Sequence, residues 1–316
     1  MSPVRPVDVW SAGRLRIVVF GTPAFAVPTL THLLASRHRV VGVVTQPDRA
    51  RGRGQRVAHG PVKTLAAERG VRLLQPERLK RDLFESTFSE LDADLGVVAA
   101  YGKILPDWLL QAPRLGMINV HASLLPKYRG AAPIHRAVMT GDSETGVTIM
   151  RVVSALDAGP MIAKAARPID RNEGSDAIER DLAVLGADLL MSVLDEVAAG
   201  RAEGVAQTDA EATYAPRLTK EEGRLDFSRS ALEVHNRIRG LRPWPMAYTF
   251  LAGARLVFHE ARSSEREAAG REPGTCVALD GAGITIACGD GRAIEVLQVQ
   301  PDGRRMMTSR DFLAGH

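Results

Sequence analysis

The first two hundred residues alternate short apolar runs with stretches in which apolar residues recur at helical spacing. Branched apolar runs bounded by glycine, proline or polar residues predict strands at 15–20, 40–44, 94–100 and 117–120. Helical spacing predicts helices at 24–36, 62–69 and 132–139. This alternation is typical of an α/β fold with a doubly wound, mostly parallel sheet, in which ligands bind at the carboxyl ends of the strands.

The alternation of strands and helices ends near residue 213. Strands at 147–153 and 160–165 and a long helix at 175–199 precede a polar stretch at 202–212, which we interpret as a linker. Strand patterns then follow at 255–259, 283–287 and 293–297, with no helical pattern between them. We therefore expect a catalytic domain over 1–206, and over 207–316 a linker with a small OB-like β-barrel.

Composition restricts the class of protein further. A chain of 316 residues suits about two domains of ~150 residues, and 45% hydrophobic with 25% charged residues excludes a disordered chain. No apolar run approaches the ~18 residues of a membrane span. Two cysteines, Cys276 and Cys288, are too few for a disulfide scaffold and suit the reducing cytoplasm. The net charge of +4 is only a weak indication of a polyanionic partner.

The sequence lacks a complete glycine-rich motif of the kinds that bind nucleotides. The turn after the first strand, Gly21-Thr22-Pro23, holds one glycine where a dinucleotide site needs several. Gly52 and Gly54 are followed by Val57 where a third glycine would fall, and no Walker A sequence occurs. We interpret Gly21 to Pro23 as a tight strand-to-helix turn.

Asn119 and His121 end an apolar strand. Because they are two residues apart, their side chains lie on the same face of the sheet. Alone, an Asn-x-His pair is more often structural than catalytic. A polar, turn-rich loop follows directly at 123–130, however, and such loops commonly carry function. The pattern therefore favours an electrophilic site at the carboxyl edge of the sheet.

The stretch Gly116–Gly130, GMINVHASLLPKYRG, resembles the signature of the 10-formyltetrahydrofolate-dependent formyltransferases. Further matches follow the family's order: GTPAFA at 21–26, TQPDR at 45–49, AYG at 100–102, ETGVTIM at 144–150, LDAG at 156–159 and PWPM at 243–246. The resemblance runs from about Leu15 to Phe312 and is strongest to the members that act on methionyl-tRNA. Ordered matches over almost the whole chain are more specific than any single motif.

The resemblance implies an enzyme that transfers the formyl group of 10-formyltetrahydrofolate to the amino group of methionine on initiator methionyl-tRNA, for translation initiation. Asn119 is then the amide donor to the developing oxyanion, and His121 donates to it or manages protons. Asp157 matches the third essential residue, which orients His121. Without the resemblance, Asp157 would be interpreted as a turn residue, because Asp-Ala-Gly is an ordinary turn sequence. No metal is implied.

The same resemblance assigns the folate co-substrate to the segment Ser123, Leu124, Leu125 and Pro126. One departure lies beside the catalytic loop, because Pro160 stands where the family often has a second aspartate. A second carboxylate is therefore absent from this position.

A cluster of arginines marks the expected tRNA contact. Arg49, Arg51, Arg53 and Arg56 lie within eleven residues that hold one acid, Asp48. An Arg/Gly stretch is often only a solvated loop; the resemblance instead implies a loop that enters the acceptor stem, with Arg53 as its functional arginine. We also expect a cytoplasmic monomer, with no membrane partner.

The second domain offers two weaker expectations. Arg237, Arg239 and Arg242 could extend a basic surface, and Trp244 is expected in the core. Two rivals stay open: a formyltransferase of the same superfamily that acts on a nucleotide-linked amino sugar or another small amine, and a non-catalytic RNA-binding protein. The arginine loop favours tRNA over a small amine, and retention of Asn119, His121 and Asp157 argues against a non-catalytic protein.

Overall fold

The computed structural model describes residues 13–315 except 49, 52–55, 58, 265 and 281–282, with only the backbone at 50–51, 56–57 and 279–280. The chain divides into two compact units. The first comprises Met1–Arg129, Gly146–Ala165 and Arg180–Thr213. The second comprises Gly130–Thr145, Ala166–Glu179 and Tyr214–His316. Each unit is therefore assembled from segments that are distant in the sequence.

The α-helices of the described chain are α1 (Ala26–Ala35), α2 (Pro61–Glu68), α3 (Arg81–Ser89), α4 (Asp107–Leu110), α5 (Pro133–Thr140), α6 (Ser175–Ala198), α7 (Ala231–Gly240) and α8 (Ser309–Ala314). Proline at the first position of α2 and of α5 is favourable, because that residue's missing N–H has no partner within a helix. None of the helices in the described ranges has the length and apolarity needed to cross a membrane.

The strands are short, as the apolar runs predict. They are β1 (Arg16–Gly21), β2 (Arg39–Val44), β3 (Ala50–Arg51), β4 (Arg56–Val57), β5 (Leu73–Leu74), β6 (Leu95–Ala99), β7 (Met117–His121), β8 (Arg129–Gly130), β9 (Glu144–Arg151), β10 (Met161–Pro168), β11 (Tyr214–Ala215), β12 (Ala247–Leu251), β13 (Ala254–Ser263), β14 (Cys276–Asp280), β15 (Gly283–Ala287), β16 (Ala293–Pro301) and β17 (Met307–Thr308).

The largest sheet has seven strands in the order β10-β9-β7-β6-β1-β2-β5. Its neighbours from β7 to β5 pair in parallel, and β9 joins β7 antiparallel. β1 and β6 are buried along almost their whole length, which is typical of parallel strands covered on both faces. The predicted α/β fold with a mostly parallel sheet is confirmed. The carboxyl ends of β1, β6 and β7 consequently meet at one edge.

The second unit is built on an antiparallel sheet in the order β12-β13-β16-β15-β14, with β17 paired to β16. Alternate residues of its strands point into one apolar cluster that includes Phe258, Ile284, Val296 and Val299. The predicted small β domain is therefore confirmed.

Two helices of the second unit, α7 and α8, are not among the predicted elements. α7 begins with a capping box, in which the Ser230 hydroxyl accepts from the Glu233 amide and the Glu233 carboxylate accepts from the Ser230 amide. The helix buries His235 and Arg239. Burial, and then the charge of Arg239, lowers the pKa of His235 from 6.5 to about 4.

Candidate active site

Two predicted catalytic side chains come from the end of β7. This strand lies between β6 and β9, with Asn119 opposite Val98 of β6 and Met150 of β9. His121 is the last residue of the strand and is 5% exposed. Since Asn119 and His121 are two residues apart on one strand, they lie on the same face, as the sequence predicts.

Each nitrogen of the His121 ring faces an oxygen atom. Its Nε2 lies 3.0 Å from the backbone oxygen of Tyr128, and a carbonyl oxygen only accepts, so Nε2 donates. Its Nδ1 faces the Oδ2 of Asp157 at 3.7 Å, which is longer than a hydrogen bond. In the neutral ring, Nδ1 is therefore the atom that can take up a proton, beside a carboxylate that stabilises it.

Asp157 lies in the loop between β9 and β10. Its backbone has φ of +46°, a left-handed conformation that is uncommon for a residue with a side chain. Two residues further on, a Cβ added at Gly159 would overlap the carbonyl oxygen of Arg151, so this position admits only glycine without movement. The structure brings Asp157 to His121 through a loop whose path depends on these two residues.

The side chain of Asn119 is half-buried. Within the described ranges its amide makes no hydrogen bond to another residue, unlike the ring of His121. An amide donor at the open edge of a sheet can therefore donate to an atom of a bound molecule without breaking an internal bond.

The predicted folate segment is a rigid loop after β7. The hydroxyl of Thr148 donates to the carbonyl of Ser123 at 2.7 Å and accepts from the amide of Leu125 at 3.1 Å. Lys164 donates to the Leu125 carbonyl at 2.7 Å. The side chains of Ser123 and Leu125 are buried, whereas Leu124 and Pro126 are partly exposed. Leu124 and Pro126 thus offer side-chain surface to a ligand.

The predicted tRNA-binding arginines lie largely beyond what the structure describes. Arg49 and Arg53 are outside the described residues, and of Arg51 and Arg56 only the backbone is described, as partners in the β3–β4 hairpin. The residue before Arg49, Asp48, is well fixed.

Asp48 forms an ion pair with Lys63, and its carboxylate also accepts from His59 at 3.1 Å and from Gln75 at 3.3 Å. The hydrogen bond from Lys63 is the main cause that lowers the pKa of Asp48. In the sequence Asp48 is only a charge opposite the arginines, whereas in the structure it joins Lys63, His59 and Gln75.

Neither expectation for the second domain describes the structure. Trp244 was expected in the core, and this is wrong, because Trp244 is 48% exposed. Of the three arginines expected at a basic surface, Arg239 is 6% exposed and donates to the Glu173 carbonyl at 3.0 Å. Arg237 donates to a backbone carbonyl and Arg242 pairs with an aspartate. These arginines join segments of the second unit.

A different set of cations and aromatic rings lies on the edge strand β12 and its surroundings. The guanidinium of Arg255 stacks over Tyr248 at 4.1 Å, and that of Arg224 lies 5.9 Å from the ring of Phe250. Phe250 is 52% exposed. The sequence reasoning missed this face because the residues are separated along the chain, but Tyr-x-Phe on a strand is a signal that places both rings on one side.

Comparison with known proteins defines the class. The model of the formyl transferase family matches residues 15–194, and that of its C-terminal domain matches residues 217–316. The chain belongs to the formyl transferase family. Among its relatives, the methionyl-tRNA formyltransferase of Ectopseudomonas mendocina is 46% identical over 298 residues, 94% of each chain. That of Methylococcus capsulatus is 45% identical over 302 residues, 96% of this chain and 97% of the relative.

Solved structures agree on the fold. An N-formyltransferase from Helicobacter canadensis, solved with folinic acid and dTDP-3-aminofucose, has a TM-score of 0.69 at 16% identity, covering 91% of this chain and 99% of that one. The methionyl-tRNA formyltransferase from Clostridium thermocellum has a TM-score of 0.54 at 14% identity, covering 80% and 94%. At such identities the likeness concerns the fold alone.

Proposed function

We propose that the chain transfers the formyl group of 10-formyltetrahydrofolate to the amino group of methionine on initiator methionyl-tRNA. The observation that carries this proposal is identity of about 45% across 94–97% of the chains to relatives named methionyl-tRNA formyltransferase. The amino-sugar enzyme matches at only 16% identity, although its fold is similar. Sequence likeness therefore favours the tRNA substrate over the sugar.

The residues at the carboxyl edge suit a formyl donor. Within the described residues the Asn119 amide has no internal hydrogen bond, and we assign it to the oxyanion that forms when the amine attacks the formyl carbon. The segment Ser123, Leu124, Leu125 and Pro126 remains our assignment for the folate, with side-chain contact at Leu124 and Pro126 and backbone contact elsewhere.

His121 and Asp157 suit the proton that the attacking amine must lose. Because Nε2 of His121 is committed to the Tyr128 carbonyl, we assign proton uptake to Nδ1. Asp157 then stabilises the resulting imidazolium across the 3.7 Å gap between Nδ1 and Oδ2. The proton passes to the folate nitrogen as its bond to the formyl carbon breaks and tetrahydrofolate leaves. A base of this kind typically contributes about 10²–10⁴-fold to a rate.

We assign tRNA contact to Arg49, Arg51, Arg53 and Arg56, each of which would add a salt-dependent attraction to phosphate. The Arg255–Tyr248 stack offers the cation and aromatic surface that RNA binding uses. In this proposal residues 1–206 hold the catalytic groups and residues 207–316 support the tRNA. The enzyme would act in the cytoplasm as a monomer.

The proposal is tested by offering the purified chain one folate donor, 10-formyltetrahydrofolate, with either methionyl-initiator tRNA or a nucleotide-linked amino sugar. We expect formyl transfer to the tRNA, with kcat/KM at least about 10²-fold above that for the sugar. Transfer to the sugar and not to the tRNA would overturn the assignment and favour the rival enzyme.

The arginine assignment has its own test. Replacing Arg51 and Arg53 together by Ala should raise KM for tRNA. It should also lower the slope of log KM against log salt concentration by the amount expected when about two phosphate contacts are lost. Lys80→Ala, at an exposed position before α3, serves as a charge control. An unchanged salt slope would mean that the loop is only solvated.

A further inference from the structure

The segment 203–213, which overlaps the linker predicted at 202–212, belongs to the same compact unit as the catalytic residues. Val205 forms an antiparallel bridge with Met161. The backbone nitrogen of each residue lies 2.8 Å from the carbonyl oxygen of the other. Gly204 packs directly against Pro160. The segment therefore runs beside the end of the loop that carries Asp157.

The side-chain amide of Gln207 joins this loop to Arg129. Its Nε2 donates to the carbonyl of Asp157 at 2.7 Å and to the carbonyl of Gly159 at 2.8 Å. Its Oε1 accepts from the Nε of Arg129 at 2.9 Å. Both donors and the acceptor of one side chain are thus committed, which fixes the orientation of the amide.

Arg129 connects the Gln207 amide to Tyr128, whose carbonyl oxygen accepts from the ring of His121. The side chain of Arg129 is 4% exposed, and its Nη2 also donates to Asp209 at 2.9 Å. Arg129 directly follows Tyr128, whose carbonyl accepts from the His121 ring. A buried guanidinium must find acceptors, so Gln207 and Asp209 hold Arg129 and its neighbour in place.

The end of the segment holds Tyr128 as well. The hydroxyl oxygen of Thr213 accepts from the amide of Tyr128 at 2.9 Å, and the carbonyl of Thr213 accepts from the amide of Arg129 at 2.8 Å. One continuous segment therefore binds the partner of His121 at one end and the backbone of Asp157 at the other.

We propose that Gln207 is a positioning residue of the formyl transfer, which sets the geometry of the Asp157 carboxylate relative to His121 Nδ1. Asp157 holds a left-handed backbone that an L residue rarely adopts, so the loop needs an external restraint. The two hydrogen bonds from Gln207 to its carbonyls supply that restraint. This inference rests on the proposed function, because it assigns Asp157 a part in the reaction.

The test is a double-mutant cycle on the full chain. Gln207→Ala should lower kcat by about 10–100-fold with KM for both substrates within about twofold, since misplacing a group by ~1 Å costs rates of this order. In an Asp157→Ala background Gln207→Glu, which keeps the acceptor for Arg129, should cost less than about twofold, because the two lost donors act only on the loop of Asp157. Gln111→Ala, at an exposed site after α4, is the matched control.

Equal losses of kcat in both backgrounds would overturn the inference and assign Gln207 a merely structural role. Gln207→Glu separates hydrogen bonding from packing, because it keeps the acceptor for Arg129 and loses both donors to the loop. We expect it to behave like Gln207→Ala, and wild-type turnover in Gln207→Glu would also overturn the inference.

A second readout does not depend on activity. In Gln207→Ala, backbone amides of residues 153–159 should exchange with deuterium at least about tenfold faster, while those of α3 keep their wild-type rates. Unchanged exchange in 153–159 contradicts the inference. Failure of the wild-type chain to formylate any amine would instead refute the proposed function, and the exchange result would stand separately.

Discussion

Asp157→Asn is the substitution that most directly probes the proposed proton transfer. In the neutral ring of His121 the carboxylate faces an Nδ1 without a proton, because Nε2 donates to the Tyr128 carbonyl. An asparagine of the same shape removes the negative charge and can turn its NH2 toward Nδ1. The ring would then be held in the neutral form, with the proton-accepting atom occupied.

The structure sets the size of the effect. For unit charges 3.7 Å apart, an effective dielectric constant of ~20 gives about 4.5 kcal/mol of attraction between imidazolium and carboxylate. With about 1.4 kcal/mol for each factor of ten, the full loss would slow the reaction roughly 10³-fold. The Asp157 side chain is 16% exposed, so water screens part of the charge and we expect a loss of 10²–10³.

Single-turnover formylation of methionyl-tRNA measures this step without interference from product release. Asp188→Asn is a matched control, because Asp188 pairs with the Nε2 of His32 at 3.1 Å while being 61% exposed. It should keep turnover within about twofold of the wild-type value. If Asp157→Asn retained more than a tenth of wild-type turnover, the pairing of Asp157 with an imidazolium would play no part in the slow step.

Three further substitutions test separate parts of the structure. Asn119→Ala should retain tRNA binding and lose about 10²–10³ in kcat; normal turnover would remove it from the oxyanion site. Gly159→Ala forces a Cβ onto the Arg151 carbonyl, so kcat should fall by at least about tenfold, and an unaltered kcat would show that the loop absorbs the change away from Asp157. His235, with its pKa lowered by burial to about 4, binds fewer protons when folded than when unfolded between pH 4 and 6.5. The wild-type free energy of unfolding should therefore fall by up to about 3 kcal/mol as pH drops from 6.5 to 4, and His235→Gln should lessen that fall in urea titrations; an equal slope in both proteins would contradict the lowered pKa.

Local pattern was sufficient for the α/β framework. Apolar runs predicted strands at 15–20 and 117–120, and the structure has β1 at Arg16–Gly21 and β7 at Met117–His121. These strands are buried on both faces, so burial leaves a continuous apolar signal in the sequence. The same signal located Asn119 and His121, because the end of a parallel strand is where polar side chains emerge.

Elements governed by distant contacts were harder to predict. Trp244 illustrates the problem, because a large aromatic residue between two prolines gives no periodic signal that says which side it faces, and it is 48% exposed. α7 was missed although Ala231, Val234 and Ile238 recur at helical spacing and are buried, because polar residues such as His235 and Arg239 fill the other positions of its buried face. Asp157 came from the family resemblance, since Asp-Ala-Gly on its own reads as a turn.

Gln207 shows why a polar segment between domains is easily misjudged. Its three hydrogen bonds join residues 48 to 78 positions away, and no spacing rule connects a glutamine with carbonyls at such separations. The available signal was Arg129, an arginine inside a turn-rich loop beside the catalytic strand. Once buried, that cation requires acceptors, and Gln207 and Asp209 are the ones that the chain provides. A boundary between residues 206 and 207 therefore separates Gln207 from the loop it holds, so a fragment ending at 206 would keep Asn119, His121 and Asp157 but lose both hydrogen bonds from Gln207 to the loop of Asp157.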